Sequence, residues 1–419
     1  MSPEDKHLLI RMFQAAVAAA DPKLALAPHI PPKPKGRTVV IGAGKGAAQM
    51  AAAFEDLWGE PVEGTVVTRY GYGCPTKHIK VLEAAHPVPD QAGLEAGQKL
   101  VDAVTGLTEN DLVVALICGG GSALLPAPPE GLSLNDEQSL NKALLTSGAP
   151  ISAMNAIRKQ VSTLKGGRLA AAAFPARVVS LIVSDVPGDD PAQVASGPTV
   201  PDMAGLEDAR RFIDQYGIVL SDPVARHIAM ANEPPAPDDP VFQRNSVTVV
   251  ASASLSLEAA RQVAEDSGIR CHILSDSIEG EARDVGLVHA AIAREICDKG
   301  RPFDVPVILL SGGETTVTIR DGGGRGGRNS EFLLALASGI EGKNIYALAA
   351  DTDGIDGSES NAGAFADSTS WARLRDNGLD PGSLLSGHDA WSAFDSLQDL
   401  FEPGPTGTNV NDFRAILIR

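Results

Sequence analysis

Short apolar runs rich in β-branched residues recur along the chain, each followed by a segment with helical spacing. This alternation restricts the fold more than any other feature. In the first half the runs are residues 38–41 (TVVI), 64–68, 79–83, 111–118 and 178–183. Segments 49–58, 92–104 and 135–147 lie between them with apolar residues at helical intervals. Residues 152–173 read as one long helix or two, with Gly166 and Gly167 at the break. Such a rhythm belongs to βαβ units, in which crossover helices join parallel strands. Residues 231–240 (ANEPPAPDDP) hold prolines and acids without an apolar core and mark a linker. Alternation then resumes with runs 247–251, 272–274, 305–310, 315–319, 345–349 and 413–418. At 419 residues, with about 150 residues per domain, the chain is expected to form two α/β domains. These are residues 1–235, with a mainly parallel sheet, and residues 236–419, smaller and with a mixed sheet.

Open α/β sheets bind ligands where their strands end, so the turns after the runs are the places to look for chemistry. After the first comes GAGKGA, residues 42–47, a spacing that suits a strand-to-helix turn around phosphate. Gly44 and Gly46 would allow close backbone approach, and Lys45 adds a positive charge inside the turn. The pattern is no Walker A, which needs Ser or Thr after Gly-Lys. A nicotinamide reading asks for an acid at the end of the second strand; Thr68-Arg69-Tyr70-Gly71 offers none, and Arg69 leaves NADP formally open.

Gly119, Gly120, Gly121 and Ser122 end another strand and form a nest of backbone N–H groups for an anion. A serine nucleophile would need G-x-S-x-G, whereas Ala123 and Leu124 follow Ser122. The loop after residues 178–183 carries Asp185 and Asp189, which can hold Mg²⁺ or accept a substrate proton, though Asp189 and Asp190 also suit turn formation. Ser311, Gly312, Gly313 and Glu314 are expected to end a strand of the second domain. Asp351 and Asp353 open DTDGIDG, where Ala362 in place of an acid rules out an EF-hand but leaves Mg²⁺ ligation open. Thr406 and Asn409 belong to a run of small hydrogen-bonding groups at residues 404–412. His86, in AHPVPD, is the one histidine next to a rigid loop and reads as a satisfied structural imidazole rather than a base.

Residues 321–332, DGGGRGGRNSEF, are the densest glycine segment. Glycines leave room for main-chain N–H groups and for Arg325 and Arg328 to approach an anion. The residues from 329 to 340 read as a helix, whose N-terminus would favour the same anion. The alternative is a hairpin turn with solvated arginines.

Composition narrows the function. A net charge of -18 opposes nucleic acid and anionic membrane over most of the surface, and 4% aromatic residues leave little for base stacking. An anionic small substrate then requires cations gathered locally, with Lys45, Arg325, Arg328, Lys159, Lys165 and Arg168 available. Four cysteines without CxxC or zinc spacing read as reduced residues of a cytoplasmic protein. The first twenty residues read as an amphipathic helix rather than a secretory leader, and no apolar run is long enough to span a bilayer.

These segments together resemble the class II glycerate 2-kinases, the family with a MOFRL domain. The match runs in order through VIGAGKGA (40–47), HPVPD (86–90), GGGSALLP (119–126) and NAIRKQVSTLKGGRLA (155–170). It continues with residues 184–189 and 196–199, SGGET (311–315), GGRNSE (326–331), DTDGIDG (351–357) and GPTGTNVND (404–412). Departures are Ser330 where glutamine is expected, Cys118 where serine is expected, and Gln160 where histidine is frequent. The resemblance implies a Rossmann-like first domain and a cleft between two domains. It implies transfer of the ATP γ-phosphate, with Mg²⁺, to the 2-hydroxyl of D-glycerate, giving 2-phosphoglycerate, by a monomer or homodimer. Lys45 and Arg328 take the family's catalytic lysine and arginine positions, with Asp185 or Asp189 orienting the hydroxyl and Asp351 and Asp353 as metal ligands. Glycines 44, 46, 119–121, 312 and 313 would bind substrate or nucleotide together with Ser122, Ser311, Glu314, Arg325, Thr406 and Asn409. The competing reading is an NAD(P)H-dependent hydroxypyruvate reductase, a name that members of the family have also carried.

Overall fold

The alternating runs become two six-stranded sheets in a computed structural model that describes residues 1–319 and 322–419. Arg320 and Asp321, the latter opening the glycine segment, lie outside the described residues.

The first sheet holds β1 (Thr38–Ala43), β2 (Glu63–Arg69), β3 (Lys80–Ala84), β4 (Leu112–Cys118), β5 (Arg177–Val183) and β6 (Ser246–Ala251). Their order is β3-β2-β1-β4-β5-β6, and the pairs β3·β2, β2·β1, β1·β4 and β4·β5 are parallel. Central β4, LVVALIC, is buried at every residue, which is why it reads as a continuous apolar run rather than an alternating one. Ala96, Leu100 and Val104 of the helix Gln91–Val104 recur every fourth residue and join Val39, Ile41, Val113 and Ala115 in one core. From β1 the chain proceeds to β2 and β3 on one side, then returns to place β4 on the other. The carboxyl ends of β1 and β4 therefore flank the point where strand order reverses.

The second sheet holds β7 (Arg270–Glu281), β8 (Val307–Thr316), β9 (Ile345–Asp351), β10 (Gly363–Asp367), β11 (Leu400–Phe401) and β12 (Asp412–Ile418), in the order β11-β10-β9-β12-β8-β7. It is mixed as expected: β7·β8 is parallel, while β12 runs antiparallel to both β8 and β9, and β10 to β9 and β11.

Three features differ from the sequence reading. The compact units are residues 22–250 and residues 1–21 with 251–419, rather than a division at 235/236. Leu8, Leu9, Met12, Phe13 and Ala16 of the helix Pro3–Ala19 complete a core with Leu310, Leu348, Phe401 and Phe413 of the second sheet. β6 lies beyond the proline-rich segment yet extends the first sheet, so that segment is internal to its unit. Second, Ser311, Gly312, Gly313 and Glu314 do not end a strand. β8 runs through them to Thr316, and residues 317–319, expected to prolong a separate strand, are irregular. Gly313 makes this possible, because at φ +113° a Cβ there would stand 2.2 Å from Ile278 N of the irregularly paired β7. Third, β10 and β11 were not foreseen. The break at Gly166 and Gly167 is present, between the helices Ile151–Gln160 and Arg168–Ala173. Among the described residues no helix is long and apolar enough to cross a membrane.

Candidate active site

In the unit of residues 22–250 the turns after β1 and β4 interlock. Lys45 N–H donates to Gly119 O at 2.8 Å, and Gly46 N–H donates to Cys118 Sγ at 3.2 Å. Gly44 has φ +135°, and a Cβ there would lie 2.3 Å from Cys118 O, so only glycine lets the two turns close. Burial pushes the Cys118 thiol up to about 12, leaving it protonated and inert. Gly120 has φ +80°, and the short helix Gly121–Leu124 begins after it.

Of the two carboxylates predicted beyond β5, only Asp185 reaches this turn: a Cβ on Gly119 would fall 1.8 Å from its Oδ2. Asp189 sits in the same loop at φ +53°, held through its N–H to Val186 O, and among the described residues its side chain has no partner. Ser122 turns inward, its hydroxyl 2.8 Å from Ser196 Oγ, which donates to Asn155 Oδ1 at 3.1 Å. Lys45 makes no ion pair among the described residues, so its ammonium remains available to a ligand.

The other cations expected to gather there do not. Lys159 is fully buried against Asp202, Lys165 is paired with Glu137 at 2.7 Å, and Arg168 donates to the carbonyls of Lys159 and Lys165. They are internal struts of their unit.

In the other unit, Arg328 begins the helix Arg328–Gly339. Its Nε donates to Asp412 Oδ1 at 2.6 Å, Nη2 to Asp351 Oδ2 at 2.5 Å, and Nη1 reaches Glu314 Oε1 at 3.4 Å. Burial works against the charge, but Asp412 and Asp351 outweigh it and raise the Arg328 pKa above the ordinary arginine range. Burial pushes the Asp351 carboxyl well above the usual range in spite of Arg328. Asp412, at the start of β12, was not singled out from the sequence, yet it joins the site together. Oδ1 also accepts from Asn329 Nδ2 at 2.8 Å, and Oδ2 accepts from Thr315 and from the fully buried Arg414.

The helix N-terminus is not open to a ligand anion as expected. Buried Asp356 fills it, accepting from Asn329 N–H at 2.9 Å, Ser330 N–H at 2.8 Å and Ser330 Oγ at 2.7 Å. The glycines before it serve close packing: a Cβ on Gly327 would meet Asp356 Oδ1 at 2.4 Å, and one on Gly324 would meet Asp389 Cβ at 2.4 Å. Arg325 pairs with Glu359 at 2.6 Å and lies 3.4 Å above the Trp391 ring. Its side chain is thus engaged on one side while remaining exposed to solvent on the other.

Ser311 is buried in β8 with its hydroxyl 3.0 Å from His289 Nε2, and burial lowers that imidazole to about 4. Gly312 offers its carbonyl to Arg414 at 3.1 Å. Of the SGGE segment, only Glu314 meets Arg328. Asp353 N–H donates to Asp351 Oδ1 at 3.1 Å. Thr406 fastens its loop to this turn, through its N–H to Asp353 O at 3.1 Å and its hydroxyl to Thr352 O at 2.5 Å. Asn409 Oδ1 accepts from Asn411 N–H at 3.0 Å.

Among the described residues no three His, Cys, Asp or Glu side chains are arranged to hold a metal ion. The two carboxylates expected to hold Mg²⁺, Asp351 and Asp353, share one turn, and both accept hydrogen bonds within the protein, Asp351 from Arg328 and from Asp353 N–H, Asp353 from Ile355 N–H. The surroundings are also acid-rich, with Arg328 and Arg414 set among Glu314, Asp351, Asp353, Asp356 and Asp412.

A Rossmann-ordered sheet with a lysine-bearing glycine turn, together with a separate α/β unit built on a mixed sheet, defines a two-unit α/β protein of the MOFRL type. The domain of unknown function DUF4147 matches residues 8–229, and the MOFRL family matches residues 307–412. The chain belongs to the glycerate 2-kinase family. It is 39% identical to a Pyrococcus horikoshii protein named glycerate 2-kinase, over 97% of this chain and 96% of that one. The crystal structure of glycerate kinase from Thermotoga maritima superposes with a TM-score of 0.90 at 36% identity, covering 100% of both chains. An Agrobacterium vitis protein with the provisional name hydroxypyruvate reductase is 50% identical over 99% of this chain and 94% of its own.

Proposed function

We propose that the chain is a kinase that transfers the γ-phosphate of ATP to the 2-hydroxyl of D-glycerate, giving 2-phosphoglycerate. The observation that carries this reading is the joining of Lys45, the Gly119–Ser122 turn and Asp185 where strand order reverses, in a chain whose relatives include proteins named glycerate kinase. Glycerate and ATP are both anionic, and this turn offers an ammonium and a close-approach glycine backbone. Phosphoryl transfer asks little else of a protein than alignment and charge stabilisation.

In the unit of residues 22–250, Asp185 orients the hydroxyl and Lys45 stabilises charge as the phosphoryl group moves; Arg328 is the second cation that the family resemblance assigns to the chemistry. Asp351 and Asp353 are the carboxylates that would hold Mg²⁺, which would supply charge neutralisation to the phosphate. Asp189 remains a less engaged second carboxylate of the same loop. The four cysteines are all free, which fits a cytoplasmic setting.

Incubation with ATP, Mg²⁺ and D-glycerate, followed by direct addition of enolase, is expected to give phosphoenolpyruvate. A product that enolase consumes only after phosphoglycerate mutase is added would move the phosphate to the 3-hydroxyl. The name carried by the Agrobacterium vitis relative and the Rossmann strand order support a second reading, NAD(P)H-dependent hydroxypyruvate reduction. Loss of NADPH absorbance on adding hydroxypyruvate, without ADP release on adding glycerate, would establish that reading instead.

A further inference from the structure

Gly120 lies between two side chains that are distant in sequence. A Cβ at Gly120 would stand 3.1 Å from His86 Nε2 and 3.1 Å from Lys45 Cγ. His86 follows β3, Lys45 follows β1 and Gly120 follows β4, so three loops from the carboxyl ends of one sheet bring imidazole, ammonium stem and glycine turn together. The sequence reading of a satisfied structural histidine does not hold. The ring is half-buried, and among the described residues it makes no hydrogen bond to the protein. His289 shows the contrast, with its two ring nitrogens against Val285 O and Ser311 Oγ.

The charged groups around His86 are on neighbouring loops. Lys45 and Arg69 act on it directly, and Arg69 lies 3.8 Å from the Tyr72 ring. Asp90, in the same loop as His86, accepts from Tyr70 Oη at 2.8 Å and Gly93 N–H at 3.0 Å. Asp185 lies over Gly119, one residue away along the turn. Burial first, then Lys45 and Arg69, keep the imidazole pKa below its ordinary 6.5. At neutral pH the ring is therefore uncharged, with a lone pair to accept a proton.

We propose that His86 is the general base of the reaction, taking the proton of the substrate 2-hydroxyl on its ring. As that proton leaves, the hydroxyl oxygen bonds to the γ-phosphorus. The bond from phosphorus to the bridging oxygen breaks, its electron pair departs with ADP, and the imidazolium later returns the proton to water. Lys45, across Gly120, holds the anion while Asp185 fixes the hydroxyl. This role rests on the kinase reading above.

The test is kcat/KM for D-glycerate against pH at saturating ATP and Mg²⁺, for the wild type and His86→Gln. Only the neutral ring accepts a proton, so wild-type kcat/KM should fall as pH drops through a pKa below 6.5, about tenfold per pH unit. His86→Gln should lower kcat by roughly 10²- to 10⁴-fold and abolish that low-pH limb, with KM for ATP little changed. A merely structural histidine would lower the melting temperature and leave the limb in place. His86→Ala gives a second reading, since added imidazole should restore part of its rate. A limb retained in the Gln variant, or no rescue of a folded Ala variant, overturns the assignment while leaving the kinase intact. A wild type that forms no phosphoglycerate from ATP overturns the kinase reading itself.

Discussion

Arg328 ties three carboxylates of its unit together, and the proposed reaction gives the same side chain a second duty. Its three nitrogens each meet a different carboxylate, a division that a single ammonium cannot reproduce. Arg328→Lys should therefore fold but lower kcat by at least about 10²-fold. Arg328→Ala should lose activity and also about 3–5 kcal/mol of stability, because buried Asp412 and Asp351 lose their counter-charge. Lys45→Ala should lower kcat by a similar factor and leave the urea midpoint unchanged, its ammonium having no ion pair among the described residues. Turnover near wild type in folded Lys45→Ala would remove it from the mechanism. Lys45 and Arg328 stand out in the sequence because each lies in a glycine-rich turn within an ordered series of motifs. Asp412 does not. It opens an apolar strand 84 residues from Arg328, and no local spacing announces a pairing at that distance. The sequence already distinguishes Arg328 from Arg325, and the structure adds what Arg325 touches, the Trp391 ring and Glu359.

At the scale of elements, the helix Arg328–Gly339 depends on a carboxylate supplied by a distant loop. Ser330 and Asn329 N–H groups would be orphaned in the buried interior without Asp356. Asp356→Ala should cost roughly 2–4 kcal/mol, combining a lost cap with unsatisfied buried donors. Asp356→Asn, which keeps one accepting oxygen, should cost about half of that. The readout is the urea midpoint of each variant, and equal midpoints for Ala and wild type would show that the cap is dispensable. Helix and strand existence was readable wherever periodicity or β-branching was strong, as in β1, β4, β5 and β12. β10 carries no strand signal in the sequence, because GAFAD holds small residues and no β-branched one. Gly363 has to be small there, since a Cβ would fall 1.8 Å from Ala349 O of the neighbouring strand. The continuation of β8 through two glycines was hidden for a related reason: a glycine pair reads as a turn, yet here it admits an irregular pairing.

Over the whole molecule, composition and alternation indicated two α/β units, but not which segments each one claims. The chain leaves one unit near residue 21 and resumes it near residue 251, so residues 22–250 form an insertion within the other. Local patterning records a helix at residues 3–19 without recording its partner. Phe13 is that helix's largest buried side chain, its ring 5.0 Å from Phe401 and 5.7 Å from Phe413, edge-on to both. Phe13→Ala should cost about 3–5 kcal/mol, read by tryptophan emission, since Trp371 and Trp391 share its unit. A midpoint equal to wild type would contradict the packing. The same arrangement sets a timetable for biosynthesis. At 5–20 residues per second the ribosome takes roughly 20 to 80 s to travel from the end of that helix to the end of β12. Throughout that interval the nascent chain holds out Leu9, Met12 and Phe13 with no finished surface to receive them, so the unit synthesised first is also the one completed last.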